Sequence, residues 1–352
     1  MSDPWTPAGA FHPDGLRHTP RGARRAGDVR RARGRWPGPC HAARMGDRAS
    51  RPADRHPPAA LSAHRDIPAR CDVPVRSDAD DRAAQLTARR VPQALPGLVD
   101  SHCHLQHEAF DADRGAVLDR ARAAGMVRLL VPGYDRRSSE AALELAAAHP
   151  DLLDAAVGIH PHHVAGAAEA DWRAVERLAA EAQVVAVGEI GLDFYRNLSA
   201  PAAQRDAFER QLALAVSVEK PVLVHDRDAH EDVTATLLAS GSPRPVQVRG
   251  VLHCFSGDAA MAFRLAAAGF LVSFALPLSF RSAQGPRAAA RALPSGTFLI
   301  ETDAPWLAAG AGRRNEPTTA LRVAAELAAL RGVTVEDIAA QVGRTYRALL
   351  AR

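Results

Sequence analysis

A (β/α)8 barrel over residues 96–352 is the fold this sequence predicts, on three observations. Eight short apolar runs follow one another, separated by segments with helical periodicity. The roughly 255 residues that hold them are the usual size of such a barrel. Residues able to bind metal fall where the runs end, and in this fold the C-terminal strand ends form the active-site mouth.

The runs are Leu98-Val99-Asp100, Val127–Val131, Leu153–Val157, Val184–Val187, Pro221–Val224, Val248–Leu252, Phe270–Phe274 and Thr297–Ile300. One intervening helix is expected to start near Phe110, to place Val117, Leu118 and Ala121 on one face, and to stop at Gly125. Another follows Pro201 and is expected to bury Phe208, Leu212, Ala215 and Val216. Strands that alternate with helices pair in parallel.

Residues 1–95 read differently. Residues 1–97 contain 18 Arg and 10 Asp but no Lys or Glu, a net charge of +8. The whole chain carries +4, so the remainder is −4 and the basic balance belongs to the N-terminal stretch. With no sustained apolar period, that stretch cannot offset its ordering entropy. It is expected to be a disordered extension, or sequence upstream of the true start. The rival reading is an arginine-rich arm that touches nucleic acid.

No run approaches the roughly 20 apolar residues of a membrane helix, and the N-terminus has no apolar signal core. The four cysteines, Cys40, Cys71, Cys103 and Cys254, fit neither a zinc ribbon nor a disulfide framework. A cytoplasmic, monomeric enzyme with no membrane partner is the expectation.

Five runs end in ligand-type residues: Asp100-Ser-His102-Cys-His104, Glu189-Ile-Gly-Leu-Asp193, His225-Asp-Arg227, His253-Cys-Phe-Ser-Gly257 and Glu301-Thr-Asp303. Alternate residues on a strand share a face, so His102 and His104 point together into the mouth while Cys103 turns away. Four histidines and two carboxylates then converge. Imidazole and carboxylate suit zinc, and carboxylate-rich sites also accept magnesium or manganese. Two such cations about 3.5–4 Å apart suit phosphoester and amide hydrolysis.

These motifs, with Gly158-Ile-His160-Pro-His162 and Arg314-Asn-Glu-Pro317, resemble the TatD family of metal-dependent deoxyribonucleases in the amidohydrolase-like superfamily. The resemblance implies that His102, His104 and Asp303 hold one divalent metal, that His225 and His253 hold a second, and that Glu189 bridges. It implies phosphodiester hydrolysis of DNA by metal-bound hydroxide, often as a 3′-to-5′ exonuclease, with D-aminoacyl-tRNA deacylation as a variant activity. Asp303 and Glu189 are the expected catalytic carboxylates, with Asp303 also able to take a proton from water. Arg227, His160 and His162 are the expected substrate contacts, Arg227 through a phosphate. Arg313 and Arg314 are expected to add positive charge at the mouth.

The sequence departs from the family pattern at Asp226, where Ser is common, at Gln106, where an acid is frequent, and at Thr345, where Asn is common. Asp226 is expected to tune Arg227 or to discourage polyanions. The rivals are a small-molecule ester, amide or phosphoester hydrolase of the same superfamily and a non-catalytic nucleic-acid binder.

Overall fold

The computed structural model describes residues 91–241, 248–310 and 312–351. The expectation for residues 1–95 therefore falls, as far as Arg90, outside the described residues, as do Cys40 and Cys71.

The eight apolar runs form eight parallel strands in one sheet, in chain order. They are β1 (Leu98–Asp100), β2 (Met126–Pro132), β3 (Leu153–Val157), β4 (Val184–Asp193), β5 (Val222–Arg227), β6 (Gly250–Leu252), β7 (Phe270–Phe274) and β8 (Phe298–Ile300). The Ser101 N–H donates to the Ile300 carbonyl at 3.0 Å, which brings the chain leaving β1 against the end of β8 and closes the barrel. Strand residues such as Val99, Leu130, Val187, Leu223 and Leu299 are fully buried, as a sheet covered on both faces requires. Two strands continue past their apolar runs into polar residues: β4 continues through Glu189 to Asp193, and β5 continues through His225 to Arg227. Their polar ends are thus held in the sheet, in the register Gly191 to His225 and Asp193 to Arg227.

The helices are α1 (Arg114–Ala123), α2 (Arg136–Ala148), α3 (Glu169–Ala180), α4 (Pro201–Ser217), α5 (His230–Ala239), α6 (Ala259–Ala267), α7 (Gln284–Ala292), α8 (Ala320–Arg331) and α9 (Val335–Leu350). Helix α1 buries Val117, Leu118 and Ala121, as its spacing predicts, and a separate short turn (Glu108–Phe110) precedes it. Gly125 ends the segment with φ +82°, and a Cβ there would stand 2.7 Å from the Leu95 carbonyl carbon. Only glycine meets both demands without strain. Leu95 itself is 2% exposed and its N–H donates to the Ala124 carbonyl at 2.8 Å, so the packed body includes this residue.

Helix α4 corrects one expectation. Phe208, Leu212 and Ala215 are buried, but Val216 is 36% exposed. At 3.6 residues per turn the inner stripe passes through Gln204, Phe208, Gln211, Leu212 and Ala215, which leaves Val216 on the outer side. The two glutamines belong to that stripe because they satisfy strand-end backbone: Gln204 bonds both the N–H and the carbonyl of Asp193, and Gln211 those of Ile159. No helix among the described residues is long and apolar enough to cross a membrane.

Candidate metal centre

Glu189 lies where the β4–β5 register slips between Val187 and Ile190, and its N–H donates instead to the Gly133 carbonyl at 2.8 Å. The glycine two residues on has the same cause as the register. At Gly191, φ +135°, a Cβ would stand 2.1 Å from the His225 carbonyl oxygen, so any side chain there would push β5 and its histidine away. The local sequence Gly-Glu-Ile-Gly-Leu-Asp thus sets a carboxylate beside the end of β5.

The two oxygens of Glu189 face different neighbours. Oε2 lies 3.5 Å from Nε2 of both His102 and His104. Oε1 lies 2.9 Å from His253 Nε2, 3.1 Å from His225 Nδ1 and 3.3 Å from His160 Nε2. Asp303 Oδ1 adds a second carboxylate 3.6 Å from His104 Nε2 and 3.9 Å from His102 Nε2. Asp303 has φ +54°, a conformation Asp tolerates better than most side chains. His102 Nε2 and His104 Nε2 are 3.1 Å apart, as are His225 Nδ1 and His253 Nε2. All six residues expected to bind metal, with His160, therefore meet in one buried cluster.

The outer ring nitrogens show which inner nitrogens offer a lone pair. His104 Nδ1 lies 3.1 Å from the Pro132 carbonyl, which can only accept, so the proton of the neutral ring sits on Nδ1. His225 Nε2 lies 3.2 Å from Asp193 Oδ2, and His253 Nδ1 lies 3.4 Å from Glu301 Oε1. The inner nitrogen of His104 is therefore left unprotonated, while both ring nitrogens of His225 face carboxylate oxygen, Nδ1 toward Glu189 and Nε2 toward Asp193. Outer acceptors of this kind are the usual support for metal-binding histidines. His160 is wired the opposite way. Its Nδ1 accepts the His162 N–H at 3.1 Å, so the neutral ring carries its proton on Nε2, toward Glu189. Burial pushes His160 down to about 3, which keeps it neutral. His160, Glu189 and His225 are close enough together to hold an ion, but this proton makes His160 a donor to Glu189.

The electrostatics favour a cation. Burial opposes charge on His225 and His253 and is outweighed: hydrogen bonds that the Asp193 and Glu189 carboxylates accept raise His225, and the Glu189 charge raises His253 well above the ordinary range. A field that holds extra protons on two buried rings will also hold a metal ion in their place. Burial, with the Glu189 and Glu301 charges, holds the Asp303 carboxyl well above the usual carboxylate range. A mixed, closely packed set of nitrogen and carboxylate donors fits one or two divalent ions.

Comparison with known proteins shows the family. The family model described as TatD related DNase matches residues 99–351. The chain belongs to the TatD family. The uncharacterized metal-dependent hydrolase YabD of Bacillus subtilis is 37% identical over 244 residues, 69% of this chain and 94% of that protein. The 3′-5′ ssDNA/RNA exonuclease TatD of Erwinia tasmaniensis is 36% identical over 259 residues, 72% of this chain and 99% of that protein. Among solved structures, the TatD homologue YjjV of Escherichia coli superimposes with TM-score 0.68 at 30% identity, over 73% of this chain and 98% of that one. The barrel is thus a TatD-type metal-dependent hydrolase.

Around the centre of this TatD protein, other residues take roles the sequence did not foretell. Asp193 and Glu301 stand in quoted motifs yet had no assigned task. The alternation of β4 carried the signal for Asp193, which lies four residues from Glu189 and so on the same face. Tyr134 and Trp306 flank His104, with ring centroids 5.7 and 4.6 Å away. His162 sits one step out, with Nε2 2.7 Å from Asp193 Oδ2, and Arg227 stacks over Tyr195 at 4.0 Å.

Two expectations are corrected. Arg314 does not line the mouth as a phosphate contact. It forms a bidentate pair with Asp113 (2.5 and 2.8 Å), bonds Glu316 at 2.9 Å and lies over Phe110. An acidic partner at the start of α1 has claimed the guanidinium. Asp226 does not tune Arg227, because neighbours on a strand point to opposite faces. Its buried carboxylate takes a 2.8 Å hydrogen bond from His230 on α5. Gln106 donates to the Pro132 carbonyl at 2.7 Å, the same oxygen that fixes His104, and Thr345 bonds the Gln341 carbonyl within α9.

Proposed function

We propose that this chain is a two-cation phosphodiesterase that trims single-stranded DNA or RNA from the 3′ end. The observation that carries the proposal is the placement of Glu189, whose two oxygens face two separate groups of imidazole nitrogen. We assign His102, His104 and Asp303 to one cation and His225 and His253 to the other, with Glu189 between them. Magnesium, manganese and zinc all suit these donors. Bound there, the pair supplies Lewis acidity toward phosphoryl oxygens and makes water more acidic.

The side chains have separate tasks in this reading. Asp303, whose carboxylate stands beside His102 and His104, accepts a proton from the attacking water. His160, with its proton on Nε2, holds Glu189 in place and stands within reach of a phosphate or leaving oxygen at the mouth. Arg227 and His162 contact the phosphate backbone. The substrate and polarity are supported by the relative from Erwinia tasmaniensis, whose name describes a 3′-5′ ssDNA/RNA exonuclease. Residues 96–352 are the catalytic domain in this proposal, and residues 1–95 an extension the chemistry does not use. The family match, which begins at residue 99, supports that division. The proposal further places the enzyme in the cytoplasm as a monomer.

The test is cleavage of single-stranded oligonucleotides labelled at either end, by metal-stripped protein and after each metal is restored. Ester and amide substrates are assayed beside them. Metal-dependent loss from the 3′ end is the expected result. Turnover of small esters or amides with intact oligonucleotide would move the chain to the small-molecule hydrolases.

A further inference from the structure

Asp193 is fully buried, 0% exposed, and every one of its polar atoms is engaged. Oδ2 lies 2.7 Å from His162 Nε2 and 3.2 Å from His225 Nε2. Oδ1 accepts the Arg196 N–H at 2.7 Å. The backbone N–H donates to Gln204 Oε1 at 2.8 Å, and Gln204 Nε2 donates back to the Asp193 carbonyl at 3.1 Å. The residue is therefore clamped from α4 on one side and aimed at two imidazoles on the other. Three donors converge on its two oxygens, and only a carboxylate accepts on both.

We infer that Asp193 is a positioning residue for the second cation: it fixes the His225 proton on Nε2, so that Nδ1 presents its lone pair beside Glu189 and His253. The same oxygen also orients His162, whose side chain is 23% exposed and lines a pocket with Asp135, Arg137 and His163. A group bound against His162 is thus joined to the second cation through one carboxylate oxygen. The inference rests on the assignment of His225 as a ligand.

An amide at this position cannot do the same. If the amide introduced by Asp193→Asn kept its oxygen on the Arg196 N–H, its NH2 group would face the two Nε2 atoms. His225 would then carry its proton on Nδ1, pointed at Glu189 where the cation belongs. If the amide flipped, its NH2 group would oppose the Arg196 N–H. Either way one interaction turns repulsive while the volume stays constant.

The experiment is calorimetric titration of chelator-stripped protein with Mn2+, for wild type, His225→Ala and Asp193→Asn, with melting temperatures alongside. Wild type should bind two ions, and His225→Ala should lose one. Asp193→Asn should weaken that same ion by about 10–100-fold, the usual scale for an outer partner of a ligand, and leave the other ion and the melting temperature of the stripped protein unchanged. Wild-type affinities in Asp193→Asn overturn the inference. So does an equal loss at both sites with a lowered melting temperature, which marks a scaffold role. One bound ion in wild type, or no loss in His225→Ala, overturns the two-cation assignment as well. Should Asp193→Asn fail to fold, nitrogen-15 NMR of zinc-loaded wild type decides the matter. The His225 proton is expected on Nε2, and a proton on Nδ1 contradicts the inference.

Discussion

His253 Nε2 lies 2.9 Å from Glu189 Oε1, the oxygen turned away from His102 and His104. One carboxylate therefore addresses nitrogen ligands from the β1 end through one oxygen and from the β5 and β6 ends through the other. Glu189→Gln keeps the size of the side chain and removes the charge that draws two cations together. Oligonucleotide turnover should fall by more than ~10²-fold, the scale of losing one preorganised electrostatic contact, while circular dichroism stays unchanged. Near-normal turnover by folded Glu189→Gln would remove the bridging role.

Among the described residues, the histidines within 4 Å of the Asp303 carboxylate are His102 and His104. Asp303→Asn should eliminate turnover and weaken only the ion at that pair. Asn accepts the left-handed backbone at this position as readily as Asp does, so the fold should persist. Metal content and cleavage rate measured together check this, and loss of both ions in the variant would count against separate sites.

Arg314 is expected to act on stability and not on substrate. Arg314→Ala should lower the melting temperature and leave KM for oligonucleotide nearly unchanged. Its bonds hold the Asp113 carboxyl down to about 2, against an ordinary value of 3.8. A carboxyl with lowered proton affinity stabilises the fold above its unfolded pKa and loses that contribution as pH falls through its folded pKa. The melting difference between wild type and Arg314→Ala should thus be full above 3.8 and shrink as pH falls toward about 2. A raised KM with unaltered melting would return Arg314 to the substrate path.

Removing residues 1–90 should leave turnover of short oligonucleotides almost unchanged. Removing residues 1–95 also deletes Leu95, which is buried against the α1 end. That shorter protein should be less stable by about 1.5–3 kcal/mol, the burial of one leucine side chain. Equal melting of the two truncated forms would show Leu95 to be dispensable. A loss of DNA affinity confined to low salt would instead favour a phosphate-binding arginine arm.

Much of the centre was legible because strand periodicity is local. The apolar runs locate all eight strands, and ligand-type residues at their ends follow from the fold. The alternation that pairs His102 with His104 needs no distant information. What the sequence hid depends on partners far along the chain. The proton on His160 is set by a turn, that on His104 by the Pro132 carbonyl, and that on His225 by Asp193 from another strand. Arg314 was misread because its partner, Asp113, lies 201 residues away. Val216 was misread because an apolar residue one position off a helical stripe looks much like a member of it.

The most direct test of the two-cation account follows cleavage of a 3′-labelled single-stranded oligonucleotide while metal-stripped protein is titrated with Mn2+. The account predicts little turnover up to one equivalent, a rise with the second, and none at any equivalent for Glu189→Gln. Full turnover at one equivalent, or by metal-free protein, would contradict it.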